Sequence, residues 1–279
     1  MSVQKIKNLI LLILALAVVF LTLLVVPTKT AQAREETALH DRLETLFSEN
    51  GVQLDGSALP QSLRLYTISL DGIPQAAGSA VSVLLGSSAE VQDDTVRYSS
   101  VYTSARGACS VTANGAFSAS LDGSLAYSDP VAGTKKLLRS MGFTAAAVSE
   151  AARKSAGVYA VTATQQILGV PVFSDGLTFT YTNGALESVE GVFFPGSTFT
   201  RVSDSASISC ADALVELLAS RDSLGWVGSR ITLVQQGYEH FDTASAAVRL
   251  VPVWRIDTDT GSFVVNGMTR EITAVQSAE

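Results

Sequence analysis

Histidine and cysteine are scarce in this sequence of 279 residues, and their scarcity excludes several classes of chemistry. There are two of each, namely His40, His240, Cys109 and Cys210. A Ser-His-Asp or Cys-His centre would have to use one of the two histidines, and His240 falls in a predicted loop, residues 237–242. No histidine pair has the helical spacing of a metal site, and no cysteine pair has zinc-finger spacing. We therefore expect no catalytic residue, no metal and no cofactor.

Hydrolase and phosphate-binding motifs are also missing. The chain has no G-x-S-x-G elbow and no glycine-rich loop that joins a strand to a helix. Asp259-Thr260-Gly261 has the form of an aspartic-protease motif, but such sites need two aspartates that share a proton. Only one copy occurs, so a hairpin turn over Asp257 to Gly261 explains these residues better. We expect a protein that is not an enzyme.

Charge is sparse and mostly negative. Charged residues make up 16% of the chain, and the net charge is −7. An acidic exterior repels phosphate backbones, so nucleic acid is not an expected partner. The sequence leaves open whether Cys109 and Cys210 form a disulfide, and two small buried side chains are the expected alternative.

One long uncharged stretch is present, Leu9 to Val26. As a helix its 18 residues would rise about 27 Å, close to the roughly 30 Å hydrocarbon core of a bilayer. The short preceding flank favours a cytoplasmic N-terminus and an extracellular C-terminal region, which predicts a single-pass protein of the cell membrane. Cleavage after Ala33 stays open as the alternative, because Ala31-Gln32-Ala33 has the form of a signal-peptidase site.

Three residues of this stretch are candidate contacts with other transmembrane helices. Helices in lipid associate through small residues and hydroxyl groups, which here are Ala15, Ala17 and Thr22. Ala15 and Thr22 are seven positions apart and share a helix face, whereas Ala17 lies well round from Ala15. Membrane lipid is the alternative neighbour of all three.

The remaining sequence alternates helix and strand patterns. Arg34 to Asn50 is predicted to be helical, and Asp129-Pro130 and Ser209 are predicted to begin two further helices. Asn183-Gly184 predicts a hairpin turn. We expect an α+β fold in which an N-terminal transmembrane helix is followed by two antiparallel-sheet lobes, each covered by helices. The expected divisions are a cytoplasmic tail at 1–8, the transmembrane helix at 9–26, and extracytoplasmic lobes at 34–125 and 129–275.

The last strands carry a pattern that resembles a known family. A strand from Leu250 to Ile256 is followed by a turn and a second strand that runs from Phe263 towards Ile272. This pattern resembles the C-terminal hairpin of the YycI and YycH regulatory proteins, and PepSY-type domains end in a similar way. The matching positions are Pro252, Trp254, Asn266, Thr269 and Glu271. The chain departs at Gly267, Met268 and Arg270, where the family has alanine, an aromatic residue and glycine.

The resemblance implies a bacterial regulator and no catalytic residues. Members of the YycI and YycH family are membrane-anchored extracytoplasmic proteins that act on a sensor histidine kinase of the WalK/YycG type, within the two-component system that controls the cell wall. The expected partners are therefore that kinase, a sister YycH-type protein and membrane lipid. The alternative is an envelope carrier or binding protein that holds a lipid or peptide in an apolar cavity.

Overall fold

The computed structural model describes residues 38–94, 98–195, 199–242 and 248–275. The predicted transmembrane segment Leu9 to Val26 and its candidate contacts Ala15, Ala17 and Thr22 lie outside these residues. Among the residues that are described, no helix is both long enough and apolar enough to cross a membrane.

The helices and strands follow one another along the chain without a simple repeat. The helices are α1 (38–49), α2 (Ile73–Ala76), α3 (Gly78–Leu85), α4 (Pro130–Ser140) and α5 (Cys210–Ala219). The strands of the N-terminal half are β1 (Ile68–Leu70), β2 (Glu90–Asp94), β3 (Ser99–Ser104), β4 (Gly107–Thr112), β5 (Ala116–Leu121), β6 (Ala145–Val148) and β7 (Ala152–Ser155). Those that follow are β8 (Val158–Ile167), β9 (Val170–Thr182), β10 (Ala185–Val192), β11 (Phe199–Arg201), β12 (Ile231–Asp242), β13 (Val248–Thr258), β14 (Ser262–Asn266) and β15 (Ile272–Val275).

All of these strands belong to one sheet. Its main path runs β11-β1-β13-β12-β9-β10-β5-β4-β3-β2, with β14 and β15 extending from β13, and with β8, β6 and β7 extending from β9. Strand pairs are antiparallel except for β9 and β12, which run parallel where Val172 is paired with Tyr238. The sheet is therefore mixed and continuous.

The predicted fold class is wrong in its arrangement of two separate antiparallel-sheet lobes. β5, from the first predicted lobe, pairs with β10, from the second. The parallel pair β9–β12 then joins two halves of the sheet, one formed by β2 to β10 and the other by β1 and β11 to β15. The halves approach closely at Gly237, where a Cβ atom would lie 2.6 Å from the carbonyl oxygen of Pro171 and 2.5 Å from the Phe173 ring. Strand patterns and hairpin turns are local properties, and they do not specify which distant strands become neighbours.

Helices cover the sheet around two apolar cores. The first core contains α2, α3 and α4 against the middle strands, with Leu84, Phe117 and Phe179 fully buried. The second contains α1 and α5 against the C-terminal strands, with Phe47 and Trp254 fully buried. Because side chains alternate along a strand, the opposite face of the middle strands is more polar and more exposed, as in the cross-strand pair Ser110 and Ser118.

Helix starts agree with the capping residues in the sequence. The Asp129 carboxylate accepts hydrogen bonds from the backbone N–H groups of Val131 (2.9 Å) and Ala132 (3.2 Å). Ser209 forms a capping box with Asp212 at the start of α5. Both predicted starts are confirmed, because side-chain oxygens satisfy N–H groups that have no partner within the helix.

In α1 the apolar residues fall at i, i+4, i+7 and i+8, namely Leu39, Leu43, Leu46 and Phe47, which predicts one stripe that faces the core. Only part of this stripe is buried. Leu43 and Phe47 are buried in the second core, whereas Leu39 and Leu46 are 42% and 37% exposed. The helix therefore contacts the core through one i, i+4 pair rather than through all four apolar residues.

Candidate functional site

Two of the five family-motif positions lie on β13, inside the protein. Trp254 is fully buried, and its Nε1 donates a hydrogen bond to the carbonyl oxygen of Ile208 at 3.1 Å. The carbonyl oxygen of Pro252 accepts from the N–H of Gly267 at 2.8 Å. A Cβ at position 267 would lie 2.8 Å from that same oxygen, so glycine allows the end of β14 to approach β13. These positions hold strands together and present no group to a ligand.

The other three motif positions form the turn between β14 and β15. The Asn266 side-chain oxygen accepts from the N–H groups of Met268 (2.8 Å) and Thr269 (3.0 Å). The N–H of Asn266 donates to the carbonyl of Glu271 at 2.8 Å. The Thr269 hydroxyl oxygen accepts from the N–H of Glu271 at 3.4 Å. Arg270 has a φ of +67°, the left-handed conformation that glycine adopts most easily, so the turn keeps this geometry without glycine.

The aspartic-protease-like residues form the hairpin turn between β13 and β14. The N–H of Thr258 donates to the carbonyl of Gly261 at 2.8 Å. The Asp259 carboxylate accepts from the N–H of Ser229 at 3.0 Å and from its hydroxyl at 2.9 Å. The Ser229 N–H is the main reason that the pKa of Asp259 is lowered. Asp259 thus binds a neighbouring segment of the same chain.

The cysteines are buried, and the second histidine is half-buried against an aromatic ring. Cys109 lies in the first core and Cys210 in the second, and both are free thiols. Burial raises the pKa of each thiol to about 12, whereas reactive cysteines need a lowered pKa. His240 lies on β12 and not in the predicted loop. Its ring packs edge-on against the Phe194 ring, with 5.4 Å between the two ring centroids. Within the described ranges, no cluster of three or more His, Cys, Asp or Glu residues could hold a metal ion.

A surface groove of about 460 Å³ lies between α4 and β6, and it is the candidate contact site. Its lining residues include Lys135, Leu138, Arg139, Phe143, Ala145 and Val148. Leu138 and Phe143 are buried, whereas Lys135 and Arg139 are exposed. Neither cation forms an ion pair with a carboxylate in the part of the chain that the structure describes. The groove is not among the features expected from the sequence, although the run of cations on α4 is a signal that could have indicated it.

Comparisons with known proteins give no family for this chain. No family profile matches it, and no curated protein matches it. One similar solved structure is an uncharacterised protein from Eubacterium rectale, with a TM-score of 0.46 and 8% identity over 76% of this chain and 86% of that protein. Another is the C-terminal domain of YpeB from Bacillus megaterium, with a TM-score of 0.38 and 11% identity over 75% of this chain and 100% of that domain.

Proposed function

We propose that this protein is a membrane-anchored extracytoplasmic regulator of a sensor histidine kinase of the WalK/YycG type, and that it acts by protein contact. The observation that carries the proposal is the C-terminal hairpin. Pro252 and Trp254 are buried in its strand, while Asn266, Thr269 and Glu271 make the hydrogen-bonded turn that follows β14. The positions that resemble the YycI and YycH proteins are thus parts of one structural unit.

A role without chemistry is supported by where the reactive groups lie. The two thiols are buried with raised pKa values, and the Asp259 carboxylate in the β13–β14 turn accepts a hydrogen bond from Ser229 of another segment. The fully buried Trp254 and Phe179 lie in packed cores, which favours a contact protein over a carrier that holds a lipid or peptide inside.

The proposed location is the cell membrane, with the C-terminal region outside the cell. This placement rests on the uncharged run Leu9 to Val26 of the sequence, which is not among the described residues. The proposed partners are the kinase, a sister YycH-type protein and membrane lipid. Ala15, Ala17 and Thr22 are the proposed contacts within the membrane.

Capture of the intact protein from solubilised membranes tests the proposal. We expect a sensor histidine kinase to be retained with the tagged protein, and we expect the rate of kinase autophosphorylation in vesicles to change when the protein is added. A tagged single-pass protein of unrelated sequence is the control. A protein that retains no kinase and leaves autophosphorylation unchanged contradicts the proposal. A lipid or peptide bound in equimolar amount to the purified protein would favour the carrier.

A further inference from the structure

Strand β6 has one edge without a strand partner among the described residues. On its other side it pairs with β8. Residues on either side of β6 continue this pairing. The carbonyl of Thr144 accepts a hydrogen bond from the N–H of Gln166 at 2.7 Å, and the N–H of Ser149 donates one to the carbonyl of Thr162 at 2.8 Å. An unpaired strand edge is a template on which another strand can add.

The edge of β6 lacks the charges that protect other edges of this sheet. β2 carries Glu90, Asp93 and Asp94, and β7 carries Arg153 and Lys154. Charged side chains on an edge strand oppose pairing with further strands. β6 contains three alanines and one valine. It differs from the similarly uncharged β15 because it borders the groove lined by α4.

The surroundings of β6 are cationic in a protein that is acidic overall. The segment Pro130 to Ser155 contains five basic residues and one acidic residue, a net charge of +4, whereas the whole chain has −7. With Asp129, which precedes the segment and caps α4, there are five basic and two acidic residues, and the net charge is still +3. An anionic ligand is therefore favoured here.

We infer that β6 binds an extended, acidic segment of a partner protein as an added strand. The segment would pair its backbone with Ala145 to Val148, place apolar side chains over Leu138 and Phe143, and bring carboxylates towards Lys135 and Arg139. This site rests on the proposed function, since it supplies the surface for a protein contact. The peptide assay below needs no kinase, so failure to bind peptide and failure to capture a kinase are separate results.

The probe is a fluorescent peptide of about eight residues in which valine and aspartate alternate, titrated into the full-length chain and followed by anisotropy. We expect saturable binding that weakens as salt concentration rises. The same peptide with N-methylated backbone nitrogens should not bind, because it cannot donate to a strand edge. A peptide of alternating valine and lysine should bind at least tenfold more weakly, because the groove carries cations.

Two variants separate the backbone contribution from the charge contribution. Ala146 has no partner on β8, because the register skips from Ala145 to Ala147. Ala146→Pro should therefore block the free edge without removing a β6–β8 pair, and it should abolish binding. The double variant Lys135→Gln/Arg139→Gln should weaken binding about three- to tenfold.

A control variant and two further measurements distinguish an acidic partner segment from other occupants of the β6 edge and the groove. Arg64→Gln/Arg249→Gln removes the same charge at two exposed positions outside the segment Pro130 to Ser155, and it should leave peptide affinity unchanged. Equal binding by wild type and Ala146→Pro overturns the inference. So does self-association of the wild type in sedimentation velocity that Ala146→Pro abolishes, because the occupant would then be a second copy. Binding to phosphatidylglycerol vesicles that depends on Lys135 and Arg139, with no binding of the peptide, would assign the groove to a membrane surface instead.

Discussion

The guanidinium of Arg270 lies 3.6 Å from the carboxylate of Glu216, and this ion pair joins the turn before β15 to helix α5. Arg270 also holds the left-handed backbone conformation, which costs a non-glycine residue about 1 kcal/mol. Because both side chains are partly exposed, solvent screening limits the ion pair to about 0–1 kcal/mol. The backbone cost and the ion pair therefore oppose each other at one residue.

Substitutions at Arg270 should separate these two effects. Arg270→Gly removes the strain and the ion pair together, so its free energy of unfolding should equal that of the wild type or exceed it by up to about 1 kcal/mol. Arg270→Ala keeps the strain and loses the ion pair, so it should be the less stable variant. Urea unfolding measures both, with Glu216→Gln as the control for the ion pair. A glycine variant less stable than the alanine variant would contradict the backbone argument.

Gly237 should be essential for the close approach of β12 to β9, where the two halves of the sheet meet. An added Cβ would meet the Phe173 ring at 2.5 Å and the Pro171 carbonyl at 2.6 Å. We expect Gly237→Ala to lower the free energy of unfolding by about 1–3 kcal/mol, because backbone atoms would have to shift. Gly261→Ala is the matched control, since nothing lies within 4 Å of its Cβ position. Equal stabilities of the two variants would show that β9 and β12 can separate at little cost.

Replacing Trp254 should lower the free energy of unfolding more than replacing Trp226. Both are buried in the second core, but Trp254 donates a hydrogen bond to Ile208, whereas the Trp226 Nε1 has no partner among the described residues. Trp254→Phe should therefore destabilise the protein by about 1 kcal/mol more than Trp226→Phe, as measured by chemical unfolding. Trp254→Ala should cost about 3–5 kcal/mol. An alanine variant that unfolds with the wild type would show that Trp254 is not part of a packed core.

The buried thiols should make stability fall at alkaline pH. Free cysteines ordinarily ionise near pH 9.0, and burial raises the pKa of Cys109 and Cys210 to about 12. Above pH 9.0 the unfolded chain loses these protons while the folded chain keeps them. The thiol contribution to stability is therefore complete below pH 9.0 and is lost towards pH 12.

A cysteine-free variant isolates this effect from the buried tyrosines. Unfolding free energies of the wild type and of Cys109→Ala/Cys210→Ala are compared at several pH values from about 8 to 11 under reducing conditions. The difference between the two proteins should be constant below pH 9.0 and should shift against the wild type above it. A difference that does not change with pH would show that the thiols ionise equally in both states.

Contacts within the membrane are predicted from the sequence alone. Replacing Ala15 and Thr22 together with leucine keeps the segment apolar and fills the small-residue face. We expect this double variant to retain less kinase and to alter kinase output, whereas Ala17→Leu, on another face, should change both less. Unchanged kinase retention and output, also after exchange of the whole segment for an unrelated one, would assign the contact to the extracytoplasmic region alone.

Local chemistry in the sequence was sufficient to predict two helix starts and two hairpins. Asp129 and Ser209 cap their helices because a side-chain oxygen reaches N–H groups two or three residues away. Asn183 and Gly184 both have positive φ and connect β9 to β10, as their tendency to adopt such angles predicts. The predicted turn over Asp257 to Gly261 is also confirmed as a hairpin, although Asp257 and Thr258 still belong to β13, and hydrogen bonds from Thr258 to the Gly261 carbonyl close it without positive φ.

Only the tertiary structure decided which distant segments meet. The pairing of β5 with β10, the parallel contact of β9 with β12 and the free edge of β6 depend on burial of apolar faces by residues far apart in the chain. The same burial selected Leu43 and Phe47, and not Leu39 and Leu46, as the core face of α1. A local pattern shows that a side chain is apolar, but whether that side chain is buried away from water depends on the packing of the whole sheet.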